Sequence, residues 1–323
     1  RRAGSRPPVA RHCLYPSPPT SPTPPPPKHT GGVQASLVTR KRSARAYHTF
    51  SGGVNRHNDA TLPDGNRLDH TDFRQFFAQG RFGYLRDWGT WEGAYTSAYN
   101  TAGLIDTEGW HQSGDHLITT SLHVQGGRGW IWHPTVSYQL NHRKEFDRQF
   151  PVGEGVEGMA DLDLSLRTAR LDLRVERQAS AWDHVLGIQS GQKRNSNGPI
   201  APDLNPFLPD ARVLEAGTFG ESTWHLGTWS VSGLFRGDVR RTELGDLSPL
   251  DFPMVSAGLG ARWSSPSRWN WSVSWARKNR APSLAELGAQ GVHHCVSRVE
   301  YGRSDLGVET SHQVEFSTSR ALM

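Results

Sequence analysis

The stretch Trp130-Ile131-Trp132-His133-Pro134-Thr135-Val136-Ser137-Tyr138-Gln139-Leu140-Asn141 decides the fold. Its even positions Trp130, Trp132, Val136, Tyr138 and Leu140 are apolar, while the odd positions from His133 to Asn141 are polar. Ile131 is the exception. Side chains two apart share one face of a strand, so this is an amphipathic β-strand. The scheme recurs in Trp91, Gly93, Tyr95, Ser97 and Tyr99, in Trp229, Val231, Gly233, Phe235, Gly237 and Val239, and in Trp269, Trp271, Val273 and Trp275.

Working outward, the pattern predicts strands over 43–54, 72–86, 90–102, 116–125, 130–141, 161–177, 181–192, 212–225, 229–241, 254–263, 269–277 and 312–320, with a thirteenth at 33–40. The linkers 87–89, 126–129, 178–180, 226–228 and 264–268 are short, and 55–71, 103–115, 142–160, 193–211, 242–253 and 278–311 are long. Short and long alternate throughout. That is the layout of a transmembrane β-barrel with tight turns on the periplasmic side and long loops outside. Tryptophan placement agrees: of the 12 tryptophans, all but Trp110 and Trp275 fall within four residues of a short turn. A ring of indoles at one strand end reads as an aromatic girdle at the membrane–water interface.

The opposite strand face carries Arg81, Glu92, Asp172, Arg174, Glu176, Arg236 and Asp238, which suit a wet lumen and would be costly against lipid. In 161–177 the apolar phase changes, from Leu162, Leu164 and Leu166 to Leu171, Leu173 and Val175, so a β-bulge is expected near Thr168–Arg170.

Composition narrows the alternatives. The 323 residues include 34 glycines and only 35% hydrophobic residues, with no apolar run of the ~18 needed for a spanning helix. Nine basic residues and no acid lie in residues 1–50, so removing that charge from the net +5 leaves the rest at −4. The body has no basic stripe, which argues against nucleic acid. Ten of the 21 prolines fall in residues 1–30, so 1–32 reads as a disordered, Pro-rich basic extension ahead of a partial barrel over 33–323. That extension contains no apolar core of a signal peptide. Cys13 and Cys295 make no disulfide framework. No nucleophile elbow of the G-x-S-x-G kind is present, so an enzyme is not expected.

Near the C-terminus stand Arg280, Pro282, Glu286 and Leu287, then Gly291 with His293, then Glu300 and Gly302, and then Asp305, Leu306, Glu309, Ser311 and Glu315. This order and spacing resembles the barrel segment R-x-P-x-x-x-E-L … G-x-H … E-x-G … D-L-x-x-E-x-S … E of TonB-dependent outer-membrane receptors. The Gly291-Val292-His293-His294 form is similar to the branch associated with zinc and related metal uptake. The resemblance extends over roughly residues 50–320. It implies a 22-stranded barrel in the bacterial outer membrane, of which this chain holds twelve or thirteen strands. It further implies a plug domain, not found in this sequence, through which an inner-membrane TonB complex supplies energy. The cargo would be a metal ion or metal chelate, with no resident cofactor. A passive porin-like barrel and a soluble β-sandwich binder are the alternatives.

Metal-ligand candidates are His293 and His294, with Cys295 beside them where a small residue is expected. Adjacent imidazoles on an extended segment point to opposite sides, so a partner loop must contribute. His111 and His116, flanking Gly114 and Asp115, and His142 are the candidates for it. Imidazole with thiolate or carboxylate suits Zn²⁺ or Cu²⁺ better than Ca²⁺ or Mg²⁺.

Overall fold

The computed structural model describes residues 31–62, 64–104, 109–146, 160–200, 205–293 and 298–320. Thirteen long strands form one antiparallel meander: β1 (Gly32–Arg42), β2 (Ala46–His57), β5 (Phe73–Arg86), β6 (Gly89–Leu104), β7 (Gly109–Gln125), β8 (Trp130–Phe146), β9 (Leu162–Gln178), β10 (Trp182–Asn197), β11 (Ala211–Leu226), β12 (Trp229–Leu244), β13 (Leu250–Ser264), β14 (Trp269–Arg280) and β17 (Glu309–Arg320). Two hairpins stand apart from that sheet. They are β3 (Ala60–Thr61) with β4 (Arg67–Leu68), and β15 (Gln290–His293) with β16 (Arg298–Tyr301). The single described α-helix, α1, spans Leu284–Gly288. Every long strand pairs with its neighbour in sequence, and β1 and β17 do not pair with each other. The sheet is therefore an open section of an all-β barrel, as the sequence indicates. The proposed extension 1–32 lies almost wholly outside the described residues, and β1 already begins at Gly32.

Register fixes the two faces. Trp182 opposes Trp224, Trp224 opposes Val231, Val231 opposes Ala261, and Ala261 opposes Val273, so the apolar sets of five strands fall on one side. Large apolar side chains on that side are open to the surroundings, with Ile188, Phe235 and Leu259 at 52%, 55% and 64% exposure. Such a continuous apolar surface is stable only against lipid or a partner. The other side holds all seven charges assigned to the lumen. Arg81 pairs with Glu92 at 2.9 Å, Arg174 with Glu176 at 2.8 Å, and Arg236 with Asp238 at 2.6 Å.

Three sequence expectations need correction. Thr168–Arg170 holds no bulge, because β9 keeps unbroken register with β8 and with β10. The phase changes because the upper end of β9 lies beyond the apolar band. There Leu162 and Leu164 turn inward and pack with Phe207, Leu208, Ala285 and Ala289. Next, the linkers 103–115 and 242–253 are not long loops. The ladder continues, with Ala98 opposite Asp115 and Thr242 opposite Leu250, leaving only 105–108 and 245–249 between strands. Gly, Ser and Asp in 109–115 suggest a loop, but a strand above the membrane has no need of an apolar outer face. Finally, the last strand starts at Glu309, three residues before the expected 312.

Candidate functional site

At the long-loop end, the strand β14 runs directly into the family-like motif. Arg280, its last residue, forks to Glu286 through Nη1–Oε2 at 2.7 Å and Nη2–Oε1 at 3.0 Å. It also donates to Glu309 Oε2 from Nε at 2.9 Å and Nη2 at 2.6 Å. One guanidinium thus ties together the end of β14, helix α1 and the start of β17. Arginine alone has the planar array of donors for two carboxylates at once.

Helix α1 forms because its start is doubly capped. Ser283 Oγ accepts from the Glu286 amide at 3.2 Å, and Glu286 Oε2 accepts from the Ser283 amide at 2.7 Å. The hydrogen bonds from Arg280, and then those from Ser283, pull the Glu286 carboxyl down to about 2. Leu287 is buried at 2% exposure among Ala211, Leu244, Phe252 and Ala281. Pro282 presents its carbonyl to Arg240 Nη1 at 3.2 Å.

The hairpin β15–β16 then seats on α1. Gly302 donates to the Ala289 carbonyl at 2.8 Å, and Arg303 donates to the Glu286 carbonyl at 2.8 Å. A Cβ on Gly302 would run into the Gly288 amide and lie 2.6 Å from the Leu287 carbonyl carbon, so glycine is required by close approach. Gly291 has φ +102°, which favours glycine for a different reason. Asp305 pairs with Arg303, Leu306 is exposed, Ser311 opposes Lys278, and Glu315 opposes Ser274 on the polar face. The motif is an architectural brace at the barrel mouth.

Below the brace, the polar face opens into a cavity of about 250 Å³ lined by Arg170, Glu215, Arg236, Asp238, Arg240 and Arg280 among others. Most of its charges are already paired. Arg236 reaches Asp238 and Gln189 Oε1, the latter at 2.7 Å, and Arg240 lies 3.4 Å from Glu215. Arg170 is exposed and forms no ion pair among the described residues. The arrangement suits a hydrated, anionic or amphoteric solute better than an apolar one.

The histidine candidates are placed as follows. His293 ends β15, opposite Arg298, whereas His294 and Cys295 lie outside the described residues. His111 is on the polar face of β7, opposite Glu145, whose side chain is 1% exposed and lies 2.5 Å from Arg143 Nε. His116 and His142 are in strands β7 and β8, not loops, and both face the apolar side. His116 Nδ1 meets the Tyr95 hydroxyl at 2.8 Å, and His142 Nε2 meets Asp163 Oδ1 at 2.7 Å. His111 therefore does not converge with His116 or His142. Among the described residues, no group of three or more His, Cys, Asp or Glu gathers around one point.

Sequence reasoning missed Arg170, Glu215 and Arg240 at the cavity, and Glu145 beside His111. For the capping of α1 a signal was available, since Ser283-Leu284-Ala285-Glu286 carries the S-x-x-E spacing.

An open meander of amphipathic strands, with an aromatic-rich outer face and a charged inner one, defines the wall of an outer-membrane β-barrel. Within that class, the family model described as TonB dependent receptor-like, beta-barrel matches residues 44–319, and the chain belongs to that family of outer-membrane receptors. Solved structures with the same fold include the copper transporter OprC, at 14% identity and TM-score 0.73 over 91% of this chain and 50% of that one. The hemophore receptor HasR of Serratia marcescens, solved with its hemophore HasA and heme, superposes at 11% identity and TM-score 0.69 over 90% of this chain and 51% of its own. For the siderophore receptor PiuA of Acinetobacter baumannii the values are 10%, 0.66, 91% and 54%. At these identities the likeness is one of fold. The chain spans about half the length of the structures it matches.

Proposed function

We propose that this chain is part of the wall of an energised importer that carries a metal ion or metal chelate across the outer membrane. Energy would come from an inner-membrane TonB complex acting through a plug domain. The observation that supports this best is the charged cavity of about 250 Å³ on the polar face, directly beneath the braced mouth, whose four arginines against two carboxylates favour an anionic metal chelate over a bare cation. Structures of this fold include proteins described as a copper transporter and a siderophore receptor, which is in keeping with a metal cargo.

Within this reading, His293, His294 and Cys295 form the outer contact for a zinc or copper ion. His111, on the polar face of β7, would be a further ligand, with Glu145 as the adjacent carboxylate. His116 and His142 can contribute only if their strands turn over, so they are the weaker members of the set.

The test is uptake of radioactive zinc by cells carrying the complete receptor, with and without a proton-motive force. Energy-dependent accumulation that falls in a His293→Ala/His294→Ala variant is expected. Uptake that survives loss of the proton-motive force would instead identify a passive porin-like barrel. Energy-dependent uptake of a ferric chelate but not zinc would keep the importer and remove the histidines from its mechanism.

A further inference from the structure

On the outer face, one step past the apolar band, three arginines stand side by side. Arg167 of β9 opposes Arg194 of β10, and Arg194 opposes Arg212 of β11. All three share a face with Leu171, Ile188 and Ala216, the lipid-facing set, and all three are exposed. With strands about 4.8 Å apart, the row spans on the order of 10 Å. Like charges directly opposite each other destabilise a sheet. Yet Arg167 and Arg194 form no ion pair among the described residues, and Arg212 has only Glu243, at 4.0 Å. The row concentrates positive charge at one point of the outer face.

A second feature lies below it on the same face. A groove of about 620 Å³ is lined mainly by Leu171, Ile188, Ala216, Thr218, Val239 and Val255. Small residues make the hollow, because Ala216 and Thr218 stand opposite Val239 and Gly237 on β12. Its upper end, at Ser190, is four residues from Arg194, or about 13 Å along the strand. Cationic guanidinium groups above a dry groove match an amphipathic ligand with phosphate at one end and an acyl chain at the other. A free anion would need the arginines but not the groove.

We propose that Arg167, Arg194 and Arg212 bind the phosphates of a lipid in the outer leaflet, one of whose acyl chains lies in the groove between Leu171 and Val255. The site is independent of what the receptor imports, and it rests only on the barrel orientation with long loops outside.

The intact receptor, purified in detergent, is titrated with diphosphoryl lipid A and bound lipid is counted by native mass spectrometry. The expected result is saturable binding that weakens at least about tenfold in Arg167→Gln/Arg194→Gln/Arg212→Gln. Dephosphorylated lipid A should bind the native receptor at least about tenfold more weakly too. Equal binding by the triple variant, or of the dephosphorylated lipid, overturns the site. Displacement of the lipid by millimolar inorganic phosphate overturns its assignment to a lipid. The triple Gln variant relieves repulsion, so in lipid-free detergent it should melt no lower than the native receptor. The corresponding triple Lys variant keeps the charge and should retain binding, which gives a second reading should the Gln variant fold poorly.

Discussion

The lower and upper halves of β9 share one backbone and carry opposite patterns. In the lower half, Leu171, Leu173 and Val175 face outward while Asp172, Arg174 and Glu176 face the polar side. In the upper half, Arg167, Ser165 and Asp163 face outward while Leu162, Leu164 and Leu166 face inward. Register runs through both halves without a bulge. The medium sets the pattern: lipid outside and water inside below, water outside and a small loop-covered core inside above. The motif at Arg280–Glu309 belongs to the upper regime, where stability comes from a buried leucine, a capped helix and a forked arginine.

The largest test of that difference is Leu287→Ala, which empties a fully buried position in the upper core. It should cost about 2–5 kcal/mol locally. Hydrogen exchange in the complete receptor would show α1 and the β15–β16 hairpin opening while the lower strands stay protected. If the lower strands lost protection equally, the two regimes would be one.

Next in size, two substitutions on the same outer face of β9 should diverge. Leu171→Arg puts a charge in the apolar band and should cost about 2–4 kcal/mol, whereas Ser165→Arg should stay within about 0.5 kcal/mol. Urea midpoints of receptor refolded into bilayers would measure both. Equal penalties would place Ser165 inside the membrane.

Smaller still is Gly302→Ala. Its Cβ cannot fit against the Leu287–Ala289 backbone, so the hairpin should lift from α1 and become cleavable by added protease, with uptake of the barrel into the membrane unchanged. An unaltered digestion pattern would mean that the hairpin does not depend on this contact.

The smallest effect is in pH. Glu286 has its carboxyl depressed from 4.5 to about 2, so its pairing is fully present above pH 4.5 and is lost as pH falls through about 2. The α1 segment should be indifferent to pH between 7 and 5 and loosen below that. In Arg280→Gln the segment should be looser at neutral pH, and its further loosening on acidification should be smaller and complete at a higher pH, because the chief hydrogen-bond donor to Glu286 is gone. Both curves can be followed by exchange at the Leu287 amide, and coincident curves would show that Arg280 does not hold Glu286.

The period-two pattern made nearly every strand legible, because lipid imposes it on each crossing in the same way. It failed where lipid stops. Gly109 to Asp115 looked like loop and Leu162 to Leu166 looked out of phase, since nothing outside the membrane demands an apolar outer face. The motif was legible as a set of residues but not as a brace, because only the fold brings Arg280 to Glu309 across 29 positions of sequence. The arginine row was invisible for the same reason. Arg167, Arg194 and Arg212 are unremarkable until register sets them abreast.

One face of this sheet meets lipid and the other meets water, with the change of regime above Leu140. Single nitroxide labels placed along β8 from Trp132 to Lys144, in a complete receptor freed of its native cysteines, test it most directly. Accessibility to oxygen should be high at Trp132, Val136 and Tyr138, while a water-soluble nickel chelate should reach Thr135, Ser137 and Gln139. At His142 and Lys144, on the same face as Tyr138, the chelate should win. Chelate access at Val136 and Tyr138 equal to that at Ser137 would contradict the account, because it would make this a sheet wetted on both sides.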